Sequence, residues 1–144
     1  MEACNCNKVN AAVITPVLAA GSTAPPYLFD VNITQRLCYA TCVSQTPVFN
    51  PTFNLVGYSS LGNNMYMATV AVSGLISYVP CNGNTCCTKT QLLSQTFTLP
   101  FYSVNAPSSV TIASGQTTNA MAAAPCRNCS RSFVSETPVT LTVA

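Results

Sequence analysis

An all-β fold is what this sequence predicts: a single β-sandwich or jelly roll of seven to nine strands, carried behind an extended N-terminal arm. Runs rich in β-branched and aromatic residues recur about every ten residues, bounded by Pro, Gly and Asn turn signals. No long amphipathic segment supplies the crossover helices that a parallel sheet requires. Charged residues fill only 6% of the 144 positions while 49% are hydrophobic, so the chain has the apolar content for a core and little charge for its surface.

Residues 1–12 read as the arm, a polar Met-Glu-Ala-Cys-Asn-Cys-Asn-Lys leader with no alternation to dock it on a core, and residues 13–144 as the β domain. Pro25-Pro26 opens Tyr27 to Asp30, which leads into a strand ending near Val43. Thr46-Pro47 and Asn50-Pro51 then break the chain. Phe53 to Tyr58 is a short strand closed by Leu61-Gly62-Asn63-Asn64. Met65 to Val79 is a long one with a bulge or kink expected at Gly74 and a stop at Pro80. The Asn-Gly pair of Cys81-Asn-Gly-Asn-Thr-Cys-Cys87 predicts a reversal into Lys89 to Leu99 as a hairpin. Beyond Pro100 come Phe101 to Val104, the alternating strand Ser109 to Ala113, and a turn at Ser114-Gly115. Ala-rich Thr118 to Ala124 suggests a turn of helix ended by Pro125. Arg131 to Glu136 and Pro138 to Ala144 finish the set.

A neutral surface needs a reason. Glu2, Lys8, Asp30, Arg36, Lys89, Arg127, Arg131 and Glu136 are the only charged residues, with a net charge of +2. Soluble monomers normally carry many interspersed charges. Thr, Ser, Asn, Gln and small apolar side chains can instead be buried by neighbouring copies at low desolvation cost, which favours self-assembly over a secreted monomer with a neutral surface. Disorder is excluded by the apolar content and the twelve Phe and Tyr residues. No apolar run reaches the length that spans a bilayer as a helix. Ala11 to Ala20, interrupted by Pro16 and lacking a basic cluster before it, does not read as a classical signal peptide.

Nine cysteines stand at 4, 6, 38, 42, 81, 86, 87, 126 and 129, and histidine is absent. An odd count leaves at least one thiol free or bonded to another molecule if the chain is oxidised. Cys38 and Cys42, on one face of a strand, would be about 13 Å apart, too far for a mutual disulfide. Neighbouring Cys86 and Cys87 point to different partners. Cys126 and Cys129 either close a turn on themselves or supply two bridges. Cys4 and Cys6, in the arm, suit a link to a neighbouring subunit, or else the arm folds back, to Cys81 or Cys86 for example. Zinc is the competing use: Cys126-x-x-Cys129 with Cys81, Cys86 and Cys87 could furnish a four-thiolate site, but that leaves the remaining cysteines unexplained, so no metal or other cofactor is expected.

Catalytic chemistry is scarce. Without histidine there is no Ser-His or Cys-His pair, and the only carboxylates are Glu2, Asp30 and Glu136. No phosphate loop and no basic patch for nucleic acid is present, and Cys126-x-x-Cys129 lacks the α/β context of a redox motif. Asn32-Ile-Thr34 and Asn128-Cys-Ser130 match the glycosylation triplet, a pattern too short to carry an argument. A non-enzymatic role is expected, with no small-molecule substrate, no nucleic acid and no membrane insertion.

The Cys-x-Cys leader, the Thr/Val/Ala-rich β domain, the scattered body cysteines and the near absence of charge resemble the subunits of disulfide-stapled endospore appendages of spore-forming bacteria. The likeness is architectural and covers the whole chain, although the Cys-Cys pair stands in a mid-chain loop here rather than in the leader. It implies a jelly-roll stack in which Cys4 and Cys6 of one copy bond acceptors among Cys38, Cys42, Cys81, Cys86, Cys87, Cys126 and Cys129 of another, at a cell or spore surface outside the cell. The expected function is thus a subunit of a self-assembling extracellular filament, joined by strand augmentation and intersubunit disulfides. A zinc-bound or disulfide-stabilised monomeric binding module is the alternative.

Overall fold

A computed structural model describes residues 12–19, 25–38, 46–78, 89–121 and 130–144. Within them the chain is all-β, with no helix and with nine strand segments in two antiparallel sheets. These are β1 (Val13–Leu18), β2 (Tyr27–Cys38), β3 (Val48–Phe49), β4 (Thr52–Gly62), β5 (Met65–Tyr78), β6 (Lys89–Tyr102), β7 (Val110–Ser114), β8 (Thr118–Met121) and β9 (Ser130–Val143). The first sheet runs β1-β2-β9, with β7 and β8 both on the far side of β9. The second runs β6-β5, with β4 and β3 both on the far side of β5.

Period-two alternation explains how both sheets bury one face. Phe29, Val31, Ile33 and Leu37 of β2 and Phe133, Val139 and Leu141 of β9 are buried, as are Val70, Val72 and Ile76 of β5 and Leu93, Phe97, Leu99 and Phe101 of β6. All join one hydrophobic cluster. Cross-sheet contacts fix the relative direction of the sheets. At one end the Phe49 and Phe133 rings meet edge to face, with centroids 6.1 Å apart. At the other end the Tyr27 hydroxyl donates to the Tyr102 carbonyl at 2.7 Å.

Several elements differ from the sequence reading. β1 occupies part of the apolar Ala11 to Ala20 stretch, which carried no strand expectation; it pairs with β2 from Val13↔Thr34 to Leu18↔Phe29. Thr118–Met121, expected to begin a turn of helix, is a strand paired with Phe133–Glu136 of β9. The bulge expected at Gly74 is absent, since the β5–β6 register runs unbroken through Gly74↔Leu93. Instead Gly74 allows a close approach: a Cβ there would meet Phe49 Cε1 at 2.8 Å and the Asn50 carbonyl oxygen at 3.2 Å. The register shifts fall in β4, between Leu55 and Gly57 and between Ser60 and Gly62. The first leaves Val56 outside the pairing, 65% exposed, and switches the inward set from Phe53 and Leu55 to Tyr58, whose ring meets Phe101.

Proline was expected to break two strands that run on. β6 passes through Pro100 and β9 through Pro138. The reason lies in which neighbour each residue faces, because in an antiparallel strand successive residues turn their N–H and C=O groups to alternate sides. Ser103 N–H donates to the Asn64 carbonyl, so odd-numbered residues of β6 bond β5 and Pro100 turns its missing donor away from the ladder. The Pro138 carbonyl accepts from Gly115 N–H, so its nitrogen faces the gap between β7 and β8. Ala19 N–H donates to the Leu28 carbonyl, which places the Pro16 nitrogen on the outer edge of β1.

Candidate functional site

Two features of this fold bear on what the chain can do. The first is a shared end of the strands. Tyr27 and Tyr102 mark one pole and Phe49 and Phe133 lie toward the other. At the second pole β2 ends on Cys38, which pairs with Ser130, the first residue of β9, and β5 ends on Tyr78, which pairs with Lys89, the first residue of β6. Val13, the first residue of β1, pairs with Thr34, one turn of the pleat or two from the same end.

Every cysteine falls on or beyond one of these strand ends in the sequence. Cys4 and Cys6 precede β1, Cys42 follows β2, Cys81, Cys86 and Cys87 lie between β5 and β6, and Cys126 and Cys129 lie between β8 and β9. These eight lie outside the described residues, and of Cys38 only the backbone position is described. The zinc alternative, which used Cys81, Cys86, Cys87, Cys126 and Cys129, falls outside them as well. Among the described residues no three His, Cys, Asp or Glu side chains gather as metal ligands, and no helix is long and apolar enough to cross a membrane.

The sequence reading counted the cysteines but could not see that the strands deliver their flanking segments to one pole. Between successive cysteine groups the chain crosses the sheets out and back, by β1 and β2, by β3–β4 and β5, and by β6 and β7–β8, which returns the bordering strand ends to the same side.

The second feature is the distribution of charge and edges. Asp30 and Glu136 both belong to the first sheet and turn away from the core, near one another across the β2–β9 ladder. The outward side chains of β5 and β6 are Met67, Thr69, Ala71, Ser73 and Leu75 on one strand and Leu92, Ser94, Thr96 and Thr98 on the other, none of them charged. Leu75 and Leu92 are register partners and are 55% and 66% exposed.

No protein-family model, curated protein or solved structure matches this chain. Its function therefore has to be argued from these surfaces.

At the first pole Pro25, Tyr27, Tyr102, Val104, Pro107 and Val143 contribute to a half-open cavity of about 380 Å³. The Tyr27–Tyr102 hydrogen bond crosses it from sheet to sheet, and Ser103 Oγ donates to the Asn105 carbonyl at 2.6 Å on its rim. Among the described residues its lining carries two tyrosines and no Asp, Glu, Lys or Arg side chain, and apolar groups supply much of its wall.

Proposed function

We propose that this chain is a structural subunit of a self-assembling extracellular filament, a pilus-like or spore-appendage-like fibre, whose copies join by strand augmentation and are locked by intersubunit disulfides. The observation that carries this reading is an uncharged outer face on a sheet that ends in an open edge, in a chain with 6% charged residues. Such a surface is cheap to desolvate and gains by being covered.

The two sheets that share one core are read as a β-sandwich of the jelly-roll kind. The nine segments fill seven strand places, because β3 and β4 share one side of β5 while β7 and β8 share one side of β9. Cys4 and Cys6 act as the donor arm, and the acceptors come from Cys38, Cys42, Cys81, Cys86, Cys87, Cys126 and Cys129. The collection of their flanking strand ends at one pole supports a single linking face. The role is non-enzymatic, the partner is another copy, and the place of action is a cell or spore surface.

Electrophoresis without reductant, with electron microscopy of the same sample, tests the reading. Ladders or heat-resistant polymer that collapse with thiol reductant, seen as fibres, are expected. A single monomer band without reductant overturns it. The cavity beside Tyr27 and Tyr102 favours the second reading, a monomeric β binding module, which requires a soluble species whose size is insensitive to reductant.

A further inference from the structure

Among the described residues four strand edges bound the two sheets, and three of them carry features that discourage pairing. β1 carries Pro16 with its nitrogen on the outer edge. β4 has two register shifts and runs alongside β7. β7 and β8 are five and four residues long, separated by a gap. Short strands, bulges and prolines are how sheets avoid unwanted pairing.

β6 has none of these devices from Thr90 to Thr98. It pairs with β5 along all fourteen residues on one side. The Ser103–Asn64 hydrogen bond shows that its even-numbered residues turn their N–H and C=O groups outward. The end of that edge is closed twice over: Pro100 has no N–H to offer, and the Tyr102 carbonyl is taken by the Tyr27 hydroxyl. Thr90, Leu92, Ser94, Thr96 and Thr98 remain as an uncharged row of outward main-chain donors and acceptors.

We infer that this row is the pairing edge for a second copy of the same strand, antiparallel about a two-fold axis through Ser94. The inference rests on the self-assembling reading above and specifies its contact. Outward residues are all even-numbered, so the edge is complementary to itself. Ser94 falls opposite Ser94 of the partner subunit, Leu92 opposite the partner's Thr96 and Thr90 opposite the partner's Thr98.

Shifting the register toward the C-terminal end brings Pro100 into the ladder and loses bonds. The centred register keeps Pro100 outside and forms about ten main-chain hydrogen bonds over a seam about 30 Å long. No like charges meet, since residues 90–98 have none.

A whole second copy fits this edge better than an isolated peptide. A second copy brings the same uncharged even-numbered row at the same spacing, which matches this edge from Thr90 to Thr98. The result is a continuous sheet through both copies. Being two-fold and closed, it uses up the β6 edge, and extension into a fibre falls to the cysteine-bearing pole.

Hydrogen exchange on the full chain, assembled and after thiol reduction and dilution, tests this. In the assembled protein the amides of Leu92, Ser94, Thr96 and Thr98 should exchange at least about tenfold more slowly than in the dilute monomer, while those of Leu93, Gln95, Phe97 and Leu99 stay equally protected in both. Ser94→Lys sets two ammonium groups across the axis and should abolish the added protection. Thr98→Pro, which deletes one outward N–H and no bond to β5, should weaken it as well. Thr111→Lys on β7 should leave it intact.

Even-numbered amides that exchange alike in both states, or protection that survives both β6 variants, overturn the edge assignment. Disulfide ladders on a non-reducing gel are read separately. Ladders without edge protection reject the two-fold seam alone, whereas no ladders and no fibres in the unmodified chain reject the subunit reading.

Discussion

Gly74 shows what a single missing side chain does in this molecule. It stands where the chain skips from β3 to β4 past Asn50-Pro51, and a Cβ would press on the Phe49 ring at 2.8 Å and on backbone atoms of Asn50 and Pro51 at 3.2 and 3.3 Å. Phe49 is fully buried and braces Phe133 of the other sheet, so it has no free space into which to retreat. Gly74→Ala is expected to destabilise by about 1–3 kcal/mol through overpacking, measured by urea unfolding. The same region holds two polar atoms without a hydrogen-bonding partner among the described residues, Asn119 Oδ1 and Ser135 Oγ. They belong to residues that pair across β8 and β9. A buried hydroxyl with no acceptor costs desolvation and returns nothing, so Ser135→Ala should leave stability unchanged or raise it by up to about 1 kcal/mol. Thr137, two residues on, is the contrast: its hydroxyl meets that of Thr117 at 2.8 Å, and Thr137→Val should cost stability in the same assay. Phe29, Val31 and Ile33 alternate visibly with polar residues in the sequence of β2, but Gln35 and the polar residues that β9 turns inward do not stand out. Their burial depends on the opposing sheet.

At the scale of elements, the turn at Gly62-Asn63-Asn64 was legible from local chemistry, although the strand before it runs from Thr52 to Gly62 rather than stopping at Tyr58. Gly62, Asn63 and Asn64 all have positive φ, at 88°, 54° and 63°. Glycine and asparagine are the residues that tolerate this. Asn63→Val should destabilise the hairpin by about 1–2 kcal/mol, whereas Asn63→Gly should not, as comparative thermal unfolding would show. Prolines were the opposite case. Pro16, Pro100 and Pro138 sit within strands, and each turns its nitrogen to an edge or a gap. Whether proline ends a strand depends on which neighbour lies on its N–H side, and a neighbour distant in sequence cannot be read locally. The bulge expected at the glycine of β5 and found instead in β4 has the same origin: the glycine is required by the crossing chain rather than by the ladder.

For the whole molecule, the described strand ends that border the cysteine-bearing segments of the sequence lie toward one pole, while the uncharged β5–β6 face and the β6 edge lie along its flank. In the proposed assembly linkage and pairing use different surfaces, so they should fail independently. Replacing Cys4 and Cys6 together by Ser should leave the far-ultraviolet circular dichroism of a β fold unchanged while polymers lose their resistance to heat and denaturant. Loss of the β signal in that variant would instead place those cysteines within the fold. The sequence by itself determined the all-β class, most strand positions and the shortage of charge, since alternation, β-branched content and turn residues act over a few neighbouring positions. Only the tertiary structure decided that β2 lies beside β9, that three prolines are accommodated within strands and that, among the described residues, the Thr90–Thr98 edge of β6 carries no proline or register shift. Those outcomes depend on pairings between segments more than a hundred residues apart, such as Tyr27 with Leu141, and main-chain groups, which differ little from position to position, do the pairing.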